Sequence, residues 1–72
     1  MTVELAHDIH GDGPLLVLIH GITENRQTWD PLLEDLATDH RVLRVDLRGH
    51  GDSPTADSYG VDELAADVHA LV

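Results

Sequence analysis

His20-Gly21-Ile22-Thr23 is the first place along this chain where residue types and order meet a chemical need. It follows directly on an unbroken apolar run, Leu15-Leu16-Val17-Leu18-Ile19. In open parallel α/β sheets, sites form just outside the carboxyl ends of the strands, so position and composition agree. A glycine there lets the backbone turn sharply and leaves the next N–H, that of Ile22, unpaired and aimed into the crevice. Such an amide can stabilise an oxyanion during acyl transfer. The bland alternative is a plain strand-to-loop turn. A second candidate, Arg48-Gly49-His50-Gly51-Asp52-Ser53-Pro54, also follows an apolar stretch. Arg48 beside two glycines can reach backbone carbonyls of the neighbouring loop with several planar donors, the alternative being an exposed ion pair. Ser53 reads as a turn residue, Asp52 and Ser53 bonding local backbone N–H groups. Gly51-Asp52-Ser53-Pro54-Thr55 does not complete the Gly-x-Ser-x-Gly of a nucleophile turn.

These residues need elements to hold them. Val3, Leu5 and His7 alternate with Glu4, Ala6 and Asp8, the period of a strand with one drier face. His10-Gly11-Asp12-Gly13-Pro14 supplies positive and fixed φ for a turn, so the next strand is expected to run back antiparallel and form a β-hairpin. The run from Leu15 to Ile19 is too short for a helix and does not alternate, which marks a strand buried on both faces. Asp30 as N-cap and Pro31 at the first helical position open a helix. Its apolar Trp29, Leu32, Leu33, Leu36 and Ala37 form a single stripe. Val42-Leu43-Arg44-Val45-Asp46-Leu47 is the next strand, and strand, helix, strand make one right-handed βαβ crossover. In a last helix Val61, Leu64, Ala65, Val68, Leu71 and Val72 share a face, with Asp62, Glu63, Asp67 and His69 off it.

Taken in order, the apolar strand, His20-Gly21-Ile22, the helix with Trp29 and Pro31, the second strand and Asp46-Leu47-Arg48-Gly49-His50-Gly51-Asp52-Ser53 resemble the N-terminal portion of the α/β-hydrolase fold family. In that family the residue after the His-Gly glycine donates one backbone N–H of the oxyanion hole, and the resemblance assigns this role to Ile22. A single glycine followed by a bulky residue is similar to the subgroup with the simpler hole, not to the Gly-Gly-Gly lipase type. The Asp-x-Arg-Gly-x-Gly-x-Ser segment matches the loop that lies under the oxyanion loop. Loop-shaping roles thus fall to His20, Gly21, Arg48, Gly49 and Gly51, with His20 acting through side-chain hydrogen bonds and Trp29 as a packing anchor. The resemblance covers most of residues 3–72 but only the opening part of such an enzyme. The nucleophile, the acid and the histidine base come later in the family's order. It implies cofactor-independent, ester-like acyl hydrolysis of a small-molecule substrate, by a triad outside these residues. The fold class expected is α/β, a partial α/β-hydrolase sheet built of a β-hairpin, one βαβ crossover and a following helix. Residues 1–72 are then the incomplete N-terminal part of one domain.

Composition narrows the rest. Seventy-two residues, 42% apolar and 25% charged with no long apolar run, fit one small ordered domain and no membrane span. A chain of this size buries only about 60% of the surface its unfolded form exposes, so a deep reaction pocket needs added chain. Fourteen acidic residues against four arginines and no lysine give a net charge of −10, which repels phosphate backbones and anionic lipid. Neither nucleic acid nor membrane is an expected partner. The lack of cysteine excludes disulfides and thiolate metal sites. His7 and His10 fall on opposite strand faces and the other histidines on separate elements, so no metal is expected, and the resemblance implies no cofactor. Met1-Thr2-Val3-Glu4-Leu5 shows no positive region followed by an apolar core, which leaves the cytoplasm as the default location. The rival to an enzyme is a non-catalytic module that completes its sheet with a partner chain. The strand ending at Ile19 should have a further parallel neighbour, and an open apolar edge invites association with the rest of a hydrolase domain or with itself.

Overall fold

The computed structural model describes residues 2–72, so Met1 of the expected unit lies outside the described residues. β1 (His7–His10), β2 (Leu15–Ile19) and β3 (Arg41–Val45) form one sheet in the order β1-β3-β2, accompanied by α1 (Asp30–Ala37) and α2 (Val61–Leu71). β2 and β3 are parallel, Leu15 opposite Arg41 and Ile19 opposite Val45, and a 3-10 turn at Arg26–Trp29 together with α1 carries the chain between them. The expected strand-helix-strand crossover is present. Among the described residues no helix is long and apolar enough to cross a membrane.

The expected hairpin is not formed. β1 runs antiparallel, but to β3, with His7 opposite Val45 and His10 opposite Val42, so β3 lies between β1 and β2. The glycine turn shows why. A Cβ on Gly11 would stand 2.4 Å from the Ala37 carbonyl oxygen, and one on Gly13 2.5 Å from that of Asp39. The turn is thus packed directly on the segment that leaves α1, and the Arg41 amide donates to the Pro14 carbonyl at 2.9 Å. That contact seats β3 in the centre, where Val42 and Val45 are wholly buried. Regular pairing of β1 also begins later than the alternation predicts, at His7. Leu5 is nonetheless buried, Val3 packs on the same cluster, and the Ala6 carbonyl accepts from the Asp46 amide at 2.9 Å.

Alternation along β3 divides the molecule. Leu43 and Val45 face a core with Leu5 and Leu47, against which Val17 and the Leu64, Val68 and Leu71 side chains of α2 pack. Arg44 points to the other face and reaches Asp30 at the start of α1. Asp30 is the first residue of α1, not its N-cap. The cap is Trp29, while the Asn25 carboxamide caps the preceding 3-10 turn by accepting from the Gln27 amide. The expected stripe on α1 is only half-buried, Leu32 being 51% exposed. On α2 the assignment of Asp67 to the outer side is corrected, since this carboxylate is buried against Arg48. Leu43→Ala is expected to lower the unfolding free energy by about 2–5 kcal/mol, the cost of a cavity in a filled core. Urea denaturation followed by circular dichroism measures it, and a loss below about 1 kcal/mol would place the core elsewhere.

Candidate active site

Residues 20–24 form a closed turn at the end of β2. The Glu24 amide donates to the Gly21 carbonyl at 3.2 Å, and Thr23 holds a positive φ of 72°, the pattern of a type II turn. The Glu24 carboxylate accepts from the Gly21 amide at 3.0 Å. His20 is buried, and its Nε2 accepts from the Leu47 amide at 3.0 Å. An amide can only donate, so Nε2 is unprotonated and Nδ1 carries the hydrogen, donated to the Gly21 carbonyl at 2.6 Å. Both imidazole nitrogens are therefore occupied in holding the turn. Among the described residues no hydrogen bond engages the Ile22 amide, and Ile22 is 81% exposed. The left-handed residue is Thr23 and not Gly21. A Cβ on Gly21 would lie 2.9 Å from Glu24 Oε1, the far end of a flexible side chain.

The loop that follows β3 curls around the carboxylate of Asp46, which is fully buried. It accepts from the Arg26 amide at 2.6 Å, from the Asp52 amide at 3.0 Å and from the Arg26 guanidinium. Gly51, at φ +50°, passes so close that a Cβ would stand 2.4 Å from this carboxyl carbon. Gly49, at φ +74°, lies against the Tyr59 ring in the same way. Ser53 is buried, its Oγ donating to the Asp46 carbonyl at 2.5 Å and accepting from the Ala6 amide at 2.9 Å. Its partners are distant in sequence, not the local turn amides expected. The two candidate segments meet through the His20–Leu47 bond, the Asp46–Arg26 contacts and the rings of His20 and His50, 5.1 Å apart.

Arg48 is buried and closes a fork on Asp67, with Nε at 2.7 Å from Oδ2 and Nη2 at 2.9 Å from Oδ1, while Nη1 donates to the Ser58 carbonyl at 2.9 Å. The expected reach to a loop carbonyl is present at Ser58; the partner of the fork is one the sequence placed on the wrong side. A cavity of about 420 Å³ opens beside Arg48, between Val3, Thr55, Ser58 and Glu63, and Ile22 is not one of its walls. Sequence reasoning passed over Arg44 and Arg26. Arg44 forks onto Asp8 at 2.8 and 3.0 Å and reaches Asp30, while Arg26 bridges Asp8 and Asp46. The pairing of Asp8 with Arg44 across β1 and β3 was available only from the register, which the expected hairpin had wrong.

These contacts set the ionisation of three carboxylates. The Arg44 fork holds Asp8 down to about 2, against the opposing effect of burial and with help from Arg26. Burial pushes Asp46 up, yet the amides of Asp52 and Arg26 and the Arg26 charge outweigh it and leave Asp46 below its ordinary value. Asp67 is lowered by Arg48 first, against burial, and by the Val3 amide. Each group binds its proton more weakly in the folded than in the unfolded chain, so the stability they contribute is complete above the ordinary carboxylate range and lost as pH falls through the folded values. Thermal melts are expected to keep a constant midpoint from about pH 7 to 5 and to fall steeply between about pH 4 and 2. A midpoint unchanged across that lower window would mean the pairs contribute nothing.

Residues 14–72 match the family model described as alpha/beta hydrolase fold. Over 70 residues the chain is 43% identical to the pimeloyl-[acyl-carrier protein] methyl ester esterase of Aliivibrio salmonicida, covering 97% of this chain and 27% of that protein. Among solved structures, a marine microorganism esterase superposes with a TM-score of 0.93 at 30% identity, over 96% of this chain and 27% of that one. The enol-lactonase of Burkholderia xenovorans does so with a TM-score of 0.89 at 33% identity, over 93% and 28%. The chain thus spans about a quarter of the length of the relatives it matches. With its parallel crossover, its His-Gly turn and its Asp46-centred loop, the chain belongs to the alpha/beta hydrolase fold family.

Proposed function

We propose that this segment supplies one donor of the oxyanion hole of a cofactor-independent hydrolase acting on ester-type bonds of small molecules. The observation that carries the reading is the Ile22 amide, unengaged among the described residues and next to Gly21, whose own amide and carbonyl are both paired. As a nucleophile adds to an ester carbonyl, negative charge grows on the oxygen, and a fixed amide at that point stabilises the transition state more than the substrate. In this reading the nucleophile, its histidine and its acid lie outside these residues, and the 72-residue chain alone is inactive. The names of the relatives, a methyl ester esterase and an enol-lactonase, support the substrate class. The bonds of Ser53 and His20 support their structural assignment, since neither Oγ nor an imidazole nitrogen is left for proton transfer. The reading includes a cytoplasmic setting, in keeping with a chain without cysteine.

A second reading is favoured by the open side of β2. It is an outer strand, and Leu15 and Ile19 are 51% and 47% exposed. A module completing its sheet with a partner chain, or with a copy of itself, would cover them.

The test joins residues 1–72 to the remaining part of the 43% identical esterase and follows hydrolysis of p-nitrophenyl acetate. Ile22 occupies the second position of a type II turn, where proline fits, so Ile22→Pro removes the N–H without opposing the backbone. It is expected to reduce kcat by about 10²–10³-fold, while Ile22→Ala, which keeps the N–H, stays within about threefold. Equal activity of the two variants would end the oxyanion assignment. The unjoined chain is expected to turn over no ester above buffer; a rate there that Ser53→Ala abolishes would move the chemistry to Ser53.

A further inference from the structure

We propose that Glu24 is a positioning residue of this turn, tying both backbone groups of Gly21 and so fixing the direction of the Ile22 amide toward an anion. The catalytic part of this inference rests on the oxyanion reading of Ile22; the hydrogen-bond pattern does not. Glu24 binds Gly21 twice, through its own amide to the Gly21 carbonyl at 3.2 Å and through its carboxylate to the Gly21 amide at 3.0 Å. With the His20 Nδ1 bond, every polar backbone group of Gly21 is engaged. This double tie sits across a costly conformation. Thr23 is the one non-glycine residue at positive φ among the described residues, and it is β-branched, where a type II turn ordinarily takes glycine. Such a conformation persists only when its surroundings over-determine it. Glu24 supplies that determination from the far end of the turn. Gly21 itself is outside the left-handed range, and Glu24 Oε1 stands 2.9 Å from where its Cβ would be. Nothing in the Glu24 side chain touches substrate in this scheme. It acts by engaging the Gly21 amide and by fixing the direction of the Ile22 amide beside it.

Amide hydrogen exchange on the ¹⁵N-labelled chain tests the pattern without any activity. The Gly21 amide is expected to exchange at least about tenfold more slowly than that of Ile22, one hydrogen bond's worth of protection. Glu24→Ala should abolish the difference, and Glu24→Gln, which keeps an acceptor oxygen, should preserve it. Equal exchange of the two amides in the unmodified chain overturns the assignment, with no variant needed. In the joined enzyme, Glu24→Ala is expected to lower kcat about tenfold at constant KM, with Glu24→Gln restoring it. A rise in KM at constant kcat would overturn the positioning role. If Ile22→Pro retains full activity while the exchange pattern holds, the oxyanion reading fails and the tie between Glu24 and Gly21 stands. If Glu24→Ala leaves Gly21 exchange unchanged, the present inference fails whatever Ile22→Pro does.

Discussion

The buried carboxylate of Asp46 is the point on which the two candidate segments depend. It lies just past the central strand, where no water can satisfy it, so every lone pair must be met by the protein. The groups that meet it come from opposite directions. The amide and guanidinium of Arg26 belong to the turn that opens the crossover, and the amide of Asp52 to the glycine loop. One desolvated charge thereby fixes the distance between stretches more than twenty residues apart, and Gly51 is the residue that leaves space for it. The turn carrying Ile22 is tied to this loop through the neutral imidazole of His20, which accepts the Leu47 amide.

Arginine placement follows the same logic. Of four arginines, Arg44 and Arg48 are buried and Arg26 half-buried, each facing aspartates on a neighbouring element. Arg44 joins both outer segments of one sheet face, and Arg48 fastens α2 to the loop before it. Buried pairs of this kind add little net stability over an apolar filling, but losing one partner is expensive, so they specify an arrangement more than they strengthen it. Most of the chain's positive charge is spent inward. The surface is left with the acidic excess, and its self-repulsion, screened by salt, acts against association along the open β2 edge.

What the sequence made legible was periodic or punctuated. The five-residue apolar run is β2, the proline sits in the first turn of α1, and Leu64, Val68 and Leu71 of the expected stripe face the core, while its ends Val61 and Val72 are exposed. Illegible were the features that depend on which segments meet. The glycines of residues 11–13 read equally well as a hairpin turn and as a floor for the chain leaving α1, and only packing decides. Asp67 sits among residues that look solvent-facing, because a carboxylate carries no sign that an arginine nineteen positions earlier is aimed at it. At residues 20–24, His-Gly-Ile marked a turn that the structure contains, but the bend expected at Gly21 falls elsewhere. The sharp bend is made by Thr23, a residue type that by itself argues against a left-handed conformation.

The strand order β1-β3-β2 carries a kinetic meaning. Neither of the first two strands has the other as a neighbour, so neither can find a sheet partner within the first forty residues. Pairing of β2 with β3 closes the loop of residues 20–40 and pairing of β1 with β3 a longer one, so a loop-closure cost precedes each ladder. The β1–β3 and β2–β3 ladders thus both await residues 41–45, the strand they share.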